Sequence, residues 1–307
     1  MIYDLIIIGS GAAGLSAALY AGRYKMKSLV IGGEFGGETA TAGTIENYPG
    51  VVSVDGYDLM KTMRAQAESL GVEIFEEWAS TVQKHEEKFR VATKEENVYE
   101  GRTVIFALGS KRRHLNLPNE KELVGKGVHY CWTCDGPLYG GKTVVMVGGG
   151  DSSVKGVNFL GEYAEKIYLV TREKSLKAEP VNLEHMKRLG TKVEVILETD
   201  VKEIVGTSML EKIMLSKDFR GSPELRVDGL FIEIGFDPDT ELSKSLGLVL
   251  DDKHFIQVDN MMRTNIPGAF AAGDSTTHFG SFKQDITAAA LGAVAATSAY
   301  EYAQSLT

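Results

Sequence analysis

The first two dozen residues constrain the fold more than any other part of the chain. Residues 3–8 form a short apolar run; Gly9-Ser10-Gly11-Ala12-Ala13-Gly14 follows; a helical pattern starts at once over 15–24. A G-x-G-x-x-G motif is weak alone but strong between a strand and a helix. The first glycine lets the chain turn, the second admits a pyrophosphate against the backbone, and the third lets helix pack closely on strand. The helix start then presents its amides to the phosphates. Gly9, Gly11, Ala12, Ala13 and Gly14 are therefore candidate cofactor-binding residues. A glycine-rich structural turn is the competing reading.

The pattern returns about 140 residues later. A strand is expected over 143–147, then Gly148-Gly149-Gly150-Asp151-Ser152-Ser153, then a helix to about residue 162 and a strand over 167–170. Ser153 replaces the third glycine and is small enough for the same close packing. Gly148, Gly150, Asp151, Ser152 and Ser153 join the candidates. Short strands are expected over 193–196, 201–205, 212–215 and 229–234. After Pro238 the chain reads as a return to the first unit, with strands over 255–258 and 269–272 and a helix over 284–300. The fold class is α/β: two Rossmann-like dinucleotide-binding domains, the second inserted in the first. The expected boundaries are 1–115, 116–245 and 246–307, and a length of 307 residues suits two domains.

Between the two units lies Cys131-Trp132-Thr133-Cys134-Asp135-Gly136, which holds both cysteines of the chain. C-x-x-C spacing brings two sulfurs to one helical turn, where a disulfide opens and closes with little backbone movement. Asp135 is placed to give or take the proton a cycling thiolate needs. The favoured reading is a redox-active dithiol. A zinc site, a structural bridge and two unrelated buried cysteines compete with it. Zinc needs about four ligands, and no second C-x-x-C or Cys/His cluster is present. C-x-x-C by itself names no enzyme.

Other loops of the first unit carry small and polar residues. Gly32 to Thr41 is too rich in small residues to make a core and suits a loop lying flat on a planar ligand, so Gly36, Gly37 and Thr41 are candidates. Glu34 follows the strand over 28–31 and is assigned either to a ribose hydroxyl or to solvent. Asn47 stands in the turn at 46–50. A helix is expected over 55–70 with Asp55 as its N-cap. Residues 80–100 alternate as a charged antiparallel meander, with His85 on its surface. A buried strand over 103–107 ends at Gly109. Gly273 and Asp274 end the strand over 269–272.

A net charge of −9 argues against nucleic acid or an anionic membrane as partner. No apolar run of about 18 residues occurs. The N-terminus enters its glycine motif with no basic region before it, which reads as a buried strand rather than a signal peptide. The expected compartment is the cytoplasm.

These motifs together resemble the low-molecular-weight thioredoxin reductases, over essentially the whole chain. The markers are GSGAAG (9–14), GGETAT (36–41), ENYPG (46–50), CWTCDG (131–136), GGGDSS (148–153), TNIPGAFAAGD (264–274) and KQDITAAA (283–290). The resemblance implies FAD in the first domain and NADPH or NADH in the second. It implies that Gly9, Gly11 and Gly14 carry the FAD pyrophosphate, that the 36–41 loop and Asn47 line the flavin, and that Asp274 takes the ribityl chain. Lys283 and Gln284 stand where the family has Arg-Gln near the flavin. The resemblance further implies a homodimer, a rotation between domains, and a thioredoxin or thioredoxin-like protein as partner. Electrons would pass from the nicotinamide through FAD to the Cys131–Cys134 disulfide. Cys134 would be the flavin-side sulfur, Cys131 the attacking one and Asp135 the acid/base.

One departure concerns the donor. NADPH-using relatives carry H-R-R-x-x-x-R after the second strand of the second domain. Here the run is Thr171-Arg172-Glu173-Lys174-Ser175-Leu176-Lys177. Arg172, Lys177 and the neighbouring Lys174 are the candidates for a 2′-phosphate, though lysine lacks the bidentate fork of arginine, and Glu173 stands where an acid binds the ribose hydroxyls of NADH or else faces solvent. Alternatives are a ferredoxin or deazaflavin donor, a dithiol oxidase, or a flavin redox sensor without turnover.

Overall fold

A computed structural model describes residues 1–280 and 282–306. The chain divides into two compact units, residues 1–111 with 238–307, and residues 112–237. The first unit opens with β1 (Ile2–Ile8), α1 (Ala12–Arg23) and β2 (Ser28–Ile31). A four-residue helix, α2 (Gly37–Ala40), follows a left-handed Gly36. The loop expected to lie flat over 32–41 thus contains a helical turn. A small ribbon, β3 (Thr44–Ile45) with β4 (Val54–Asp55), precedes α3 (Gly56–Glu68). Asp55 caps α3 by accepting from the Tyr57 amide.

β5 (Glu73–Phe75), β6 (Ala79–His85), β7 (Lys88–Thr93) and β8 (Val98–Phe106) complete the first pass. Strand order is β5-β2-β1-β8-β7-β6. The meander and the buried strand over 103–107 are not separate elements, because β8 runs through both. Its start pairs antiparallel with β7, and residues 100–106 lie parallel to β1. Side chains alternate between two covered faces. Leu5, Ile7, Val30 and Ile105 point one way, Ile6, Ile8, Leu29, Val104 and Phe106 the other. Burial on both faces explains the nearly continuous apolar run. Each such side chain contributes about 1.5–3 kcal/mol.

β9 (Ser110–Arg112) leads out of this unit. The second unit begins with β10 (Val128–His129), α4 (Trp132–Asp135) and a 3₁₀ turn, Gly136–Tyr139. β11 (Thr143–Val147), α5 (Asp151–Leu160) and β12 (Lys166–Val170) repeat the strand–loop–helix–strand pattern. α6 (Pro180–Arg188) and β13 (Val193–Ile196) follow. β14 (Val201–Gly206), β15 (Leu210–Phe219) and β16 (Ser222–Arg226) make an antiparallel sheet, with β15 longer than the expected 212–215. β17 (Gly229–Ile232) returns to the parallel sheet, whose order is β10-β17-β11-β12-β13. The sheet again has two apolar faces. Val145, Val147, Leu230 and Ile232 face the antiparallel strands; Val144, Met146 and Phe231 face α5 and Trp132.

β18 (Phe236–Pro238) leads back and pairs with β9, so outgoing and returning strands run side by side. The unit edges therefore fall a few residues before 115 and 245. α7 (Glu241–Ser245) and β19 (Ala269–Ala271) follow. The strand expected over 255–258 is absent: Ile256 makes only isolated bridges to Leu250 and Thr276, with no continuous neighbour to extend them. β19 pairs parallel with the end of β8. The last helix, α8 (Asp285–Ser305), lies on α1 through small residues. Among the described residues no helix is long and apolar enough to cross a membrane.

Candidate active site

In the first unit the candidate residues gather where β1, β8 and β19 end. Open α/β sheets bind ligands at the carboxyl ends of their strands. Gly9 has φ +112°, and a Cβ there would lie 2.1 Å from the Ala107 carbonyl oxygen. A Cβ on Gly14 would lie 1.9 Å from the Gly9 oxygen. Both glycines thus serve close packing. Gly11 differs: a Cβ there would meet nothing nearer than the Gly36 oxygen at 3.8 Å, and one on Gly37 would come within 3.6 Å of Gly11 Cα. The two turns face each other across a slot without side chains. α1 has no side-chain cap and no acid in its first turn, so its leading amides are bare. Ser10 ties this loop to the next strand by donating to the Glu34 carbonyl at 2.8 Å, while the Glu34 side chain is exposed.

Gly273 abuts the same helix start; its Cβ would lie 2.9 Å from that of Ala13. This contact puts Asp274 beside the glycine loop. Burial pushes the Asp274 carboxyl up to about 6, Lys283 opposes the shift, and Asp285 adds to it. Ser275 is fully buried and its hydroxyl has no partner among the described residues. Asn47 donates to the Gln284 side-chain oxygen at 3.0 Å, joining two expected residues distant in sequence. Thr39 donates to Asp285 at 2.5 Å. The Lys283 ammonium is committed elsewhere, to the carbonyls of Thr276 (2.7 Å) and His278 (3.2 Å). Thr41 donates to the Glu38 carbonyl at 3.1 Å, and a Cβ on Gly109 would meet nothing within 4 Å. The bare amides, the open slot and the unpartnered buried hydroxyl suit a dinucleotide such as FAD.

The second unit carries a similar loop. A Cβ on Gly148 would strike the Glu233 oxygen at 2.0 Å, whereas Gly150 has open space. Ser153 is buried and donates to the Glu233 carbonyl at 3.0 Å. Ser152 is exposed. Asp151 accepts from the Glu179 amide (2.8 Å) and Asn182 (3.0 Å), which commits its carboxylate to the start of α6. The Lys177 amide donates to the Gly149 carbonyl at 2.7 Å, holding the 171–177 turn over the loop. Within that turn the Lys177 ammonium meets Glu173 at 2.7 Å and Arg172 lies 4.0 Å from the same carboxylate. The Lys177 hydrogen bond and charge lower the pKa of Glu173.

Cys131 and Cys134 form a disulfide. Cys131 is the N-cap of α4; its sulfur accepts from the Cys134 amide at 3.2 Å and lies 3.2 Å from the Thr133 hydroxyl. Buried Trp132 anchors the turn, its ring 5.4 Å from that of Phe159 on α5. Asp135 is partly exposed, and its Oδ2 lies 2.9 Å from Nδ1 of His129. The His129 Nε2 is 2.6 Å from the Tyr139 hydroxyl. A second cluster holds the strand leading in. Glu120, 2 % exposed, accepts from Tyr130 at 2.5 Å and from the amides of Leu115 and Leu117. His129, Tyr139 and Glu120 gave no sequence signal as a group; their shared burial arises only from the fold.

This geometry agrees with comparisons to known proteins. The model of the family described as pyridine nucleotide-disulphide oxidoreductase matches residues 3–296. A thioredoxin reductase of Listeria innocua is 38 % identical, over 99 % of this chain and 95 % of that one. The crystal structure of Lactococcus lactis thioredoxin reductase in its FR conformation superposes with TM-score 0.93 at 32 % identity, covering 99 % of both chains. A ferredoxin-flavin thioredoxin reductase of Clostridium acetobutylicum superposes with TM-score 0.52 at 33 % identity, covering 98 % and 97 %. The chain belongs to the pyridine nucleotide-disulphide oxidoreductases and, within them, to the low-molecular-weight thioredoxin reductase family.

Proposed function

We propose that the protein reduces the disulfide of a thioredoxin-like protein, with electrons from NAD(P)H passed through FAD to the Cys131–Cys134 pair. The observation that carries this reading is the closed C-x-x-C disulfide beside an acid, in a chain with two dinucleotide-type glycine loops. FAD, when bound, supplies the carrier between a two-electron donor and a disulfide. Gly9, Gly11, Gly14 and the first amides of α1 hold its pyrophosphate. Gly36, Gly37 and Asn47 line the ring, and Asp274, ionised at neutral pH, accepts from ribityl hydroxyls. Gly148, Gly150 and Ser152 receive the nicotinamide dinucleotide, with Arg172 and Lys177 at its ribose end. Cys131 is the attacking sulfur, because the Cys134 amide and the Thr133 hydroxyl both favour its thiolate. Cys134 resolves the mixed disulfide and Asp135 moves the proton. The reading includes a homodimer working in a reducing compartment.

One observation favours a second donor. Glu173 already neutralises part of the charge of Lys177 and Arg172, two of the three cations that the turn offers to a 2′-phosphate. Crystal structures of a ferredoxin-flavin thioredoxin reductase of Clostridium acetobutylicum are among those similar to this chain. Ferredoxin or a deazaflavin then feeds the same flavin and dithiol.

The test is trapping. Cys134→Ser leaves Cys131 to hold a thioredoxin-like partner as a stable mixed disulfide, seen as a shifted band on a non-reducing gel. Trapping by Cys131→Ser alone reverses the two roles, and trapping by neither removes the function.

A further inference from the structure

His129 lies two residues before Cys131, at the end of β10, and is 4 % exposed. Its ring stacks on Phe231 of β17, with centroids 5.2 Å and planes 26° apart, and meets Tyr139 edge-on at 5.3 Å. Both nitrogens are engaged, Nδ1 by Asp135 at 2.9 Å and Nε2 by the Tyr139 hydroxyl at 2.6 Å. The hydrogen positions follow from chemistry. Burial first, then the charges of Asp135 and Asp228, push the Tyr139 hydroxyl up to about 12, so it stays protonated. A protonated phenol donates, which makes Nε2 the acceptor and puts the ring hydrogen on Nδ1. The donors therefore run in one direction, from Tyr139 to His129 to Asp135. Other charged or titratable groups at this cluster are the two cysteines, Asp228, and Lys142, whose ammonium is 5.4 Å from the Tyr139 ring.

We propose that His129, fixed in its Nδ1–H tautomer by Tyr139, is a positioning residue for Asp135. It holds one carboxylate oxygen and leaves the other for thiol protons. The proposal rests on the acid/base reading of Asp135. In the exchange, the Cys131 thiolate bonds to one partner sulfur as the partner S–S bond breaks, and the departing thiolate takes the Asp135 proton. The Asp135 carboxylate then removes the proton of Cys134. The Cys134 sulfur closes on Cys131 and expels the second partner thiolate, which Asp135 protonates in turn. The dithiol is oxidised and the partner disulfide reduced, with two electrons and two protons transferred. A hydrogen bond to a carboxylate favours its charged form, so loss of this donor is expected to show in the pH dependence of the exchange.

The experiment uses the reduced holoenzyme and bis(2-hydroxyethyl) disulfide as probe, an alkyl disulfide whose departing thiolate is basic enough to need a proton, with rates followed against pH in the wild type and in D135N, H129L, H129N and Y139F. H129L is expected to be slower by about tenfold or more, with its acid limb moved up by about one pH unit. H129N keeps an amide donor near the Nδ1 position and is expected to restore the rate to within about threefold. Y139F releases the tautomer and moves the limb in the same direction as H129L. If D135N is slow but H129L keeps the wild-type rate and pH profile, the proposal is overturned while the acid/base reading stands. If D135N is as fast as wild type, the acid/base reading itself fails. Variants that lose stability but keep the wild-type profile make His129 a core residue only, which also overturns the proposal. Should H129L not fold, Y139F decides, and an unmoved limb there sinks the idea.

Discussion

Asp274 feels opposing influences: burial and Asp285 raise its pKa, and Lys283 lowers it. The folded value of about 6 exceeds the ordinary 3.8. Between these values the folded chain binds more protons than the unfolded one, so stability present below about pH 4 is lost as pH rises through about 6. The difference between these two values corresponds to at most about 3 kcal/mol. Asp274→Asn is therefore expected to stabilise the flavin-free protein by about 1–3 kcal/mol above pH 7 and not at pH 4. Thermal melts at the two pH values check this; an equal gain at both would remove the titration argument. On the proposed ribityl role of Asp274, the same substitution is expected to weaken FAD retention, because an amide accepts hydroxyls less well than a carboxylate. A second residue-scale prediction concerns the donor. Glu173 draws Lys177 and Arg172 to itself. Glu173→Arg is expected to raise kcat/KM for NADPH over NADH by up to about tenfold, or ~1.4 kcal/mol. A wild type already strictly selective for NADPH contradicts this, and one inert with both coenzymes points to ferredoxin or a deazaflavin.

Among the helices, the pair α1 and α8 is packed by absence of side chain. A Cβ on Gly292 would lie 2.0 Å from the Ala13 carbonyl oxygen, in the first turn of the helix proposed to receive the pyrophosphate. Gly292→Ala is expected to separate the helices and cost about 1–3 kcal/mol. A lowered Tm accompanied by weaker FAD binding would tie this packing to the cofactor loop. Sequence periodicity made α8 readable as a helix buried nearly all round, but nothing in it singled out Gly292 among so many small neighbours. The same contrast holds elsewhere. β1, β2 and β11 were legible because both sheet faces are buried and the apolar runs are continuous. The 255–258 run has similar composition yet forms only bridges, since strand formation depends on a neighbour that sequence does not reveal. Gly9 to Gly14 and the cysteine pair were readable because local spacing encodes their geometry. His129 was not: its bonds to Asp135 and Tyr139 depend on β10 lying against β17.

At the scale of the whole molecule, two similar units share one chain, and the second interrupts the first between residues 111 and 238. The interruption is bounded by β9 and β18, hydrogen-bonded to each other. The Asp239 amide donates to the Gly109 carbonyl at 3.1 Å on one side of this ribbon, and the Arg113 amide to the Gly235 carbonyl at 2.9 Å on the other. Seen from the first unit, everything in between is a single long loop whose two ends are already fastened together. Loop-closure entropy grows only as the logarithm of length, so lengthening or trimming that loop alters the first unit's stability by little. The ribbon is thus a splice point, at which the second unit can be altered or exchanged while the first keeps its own sheet intact.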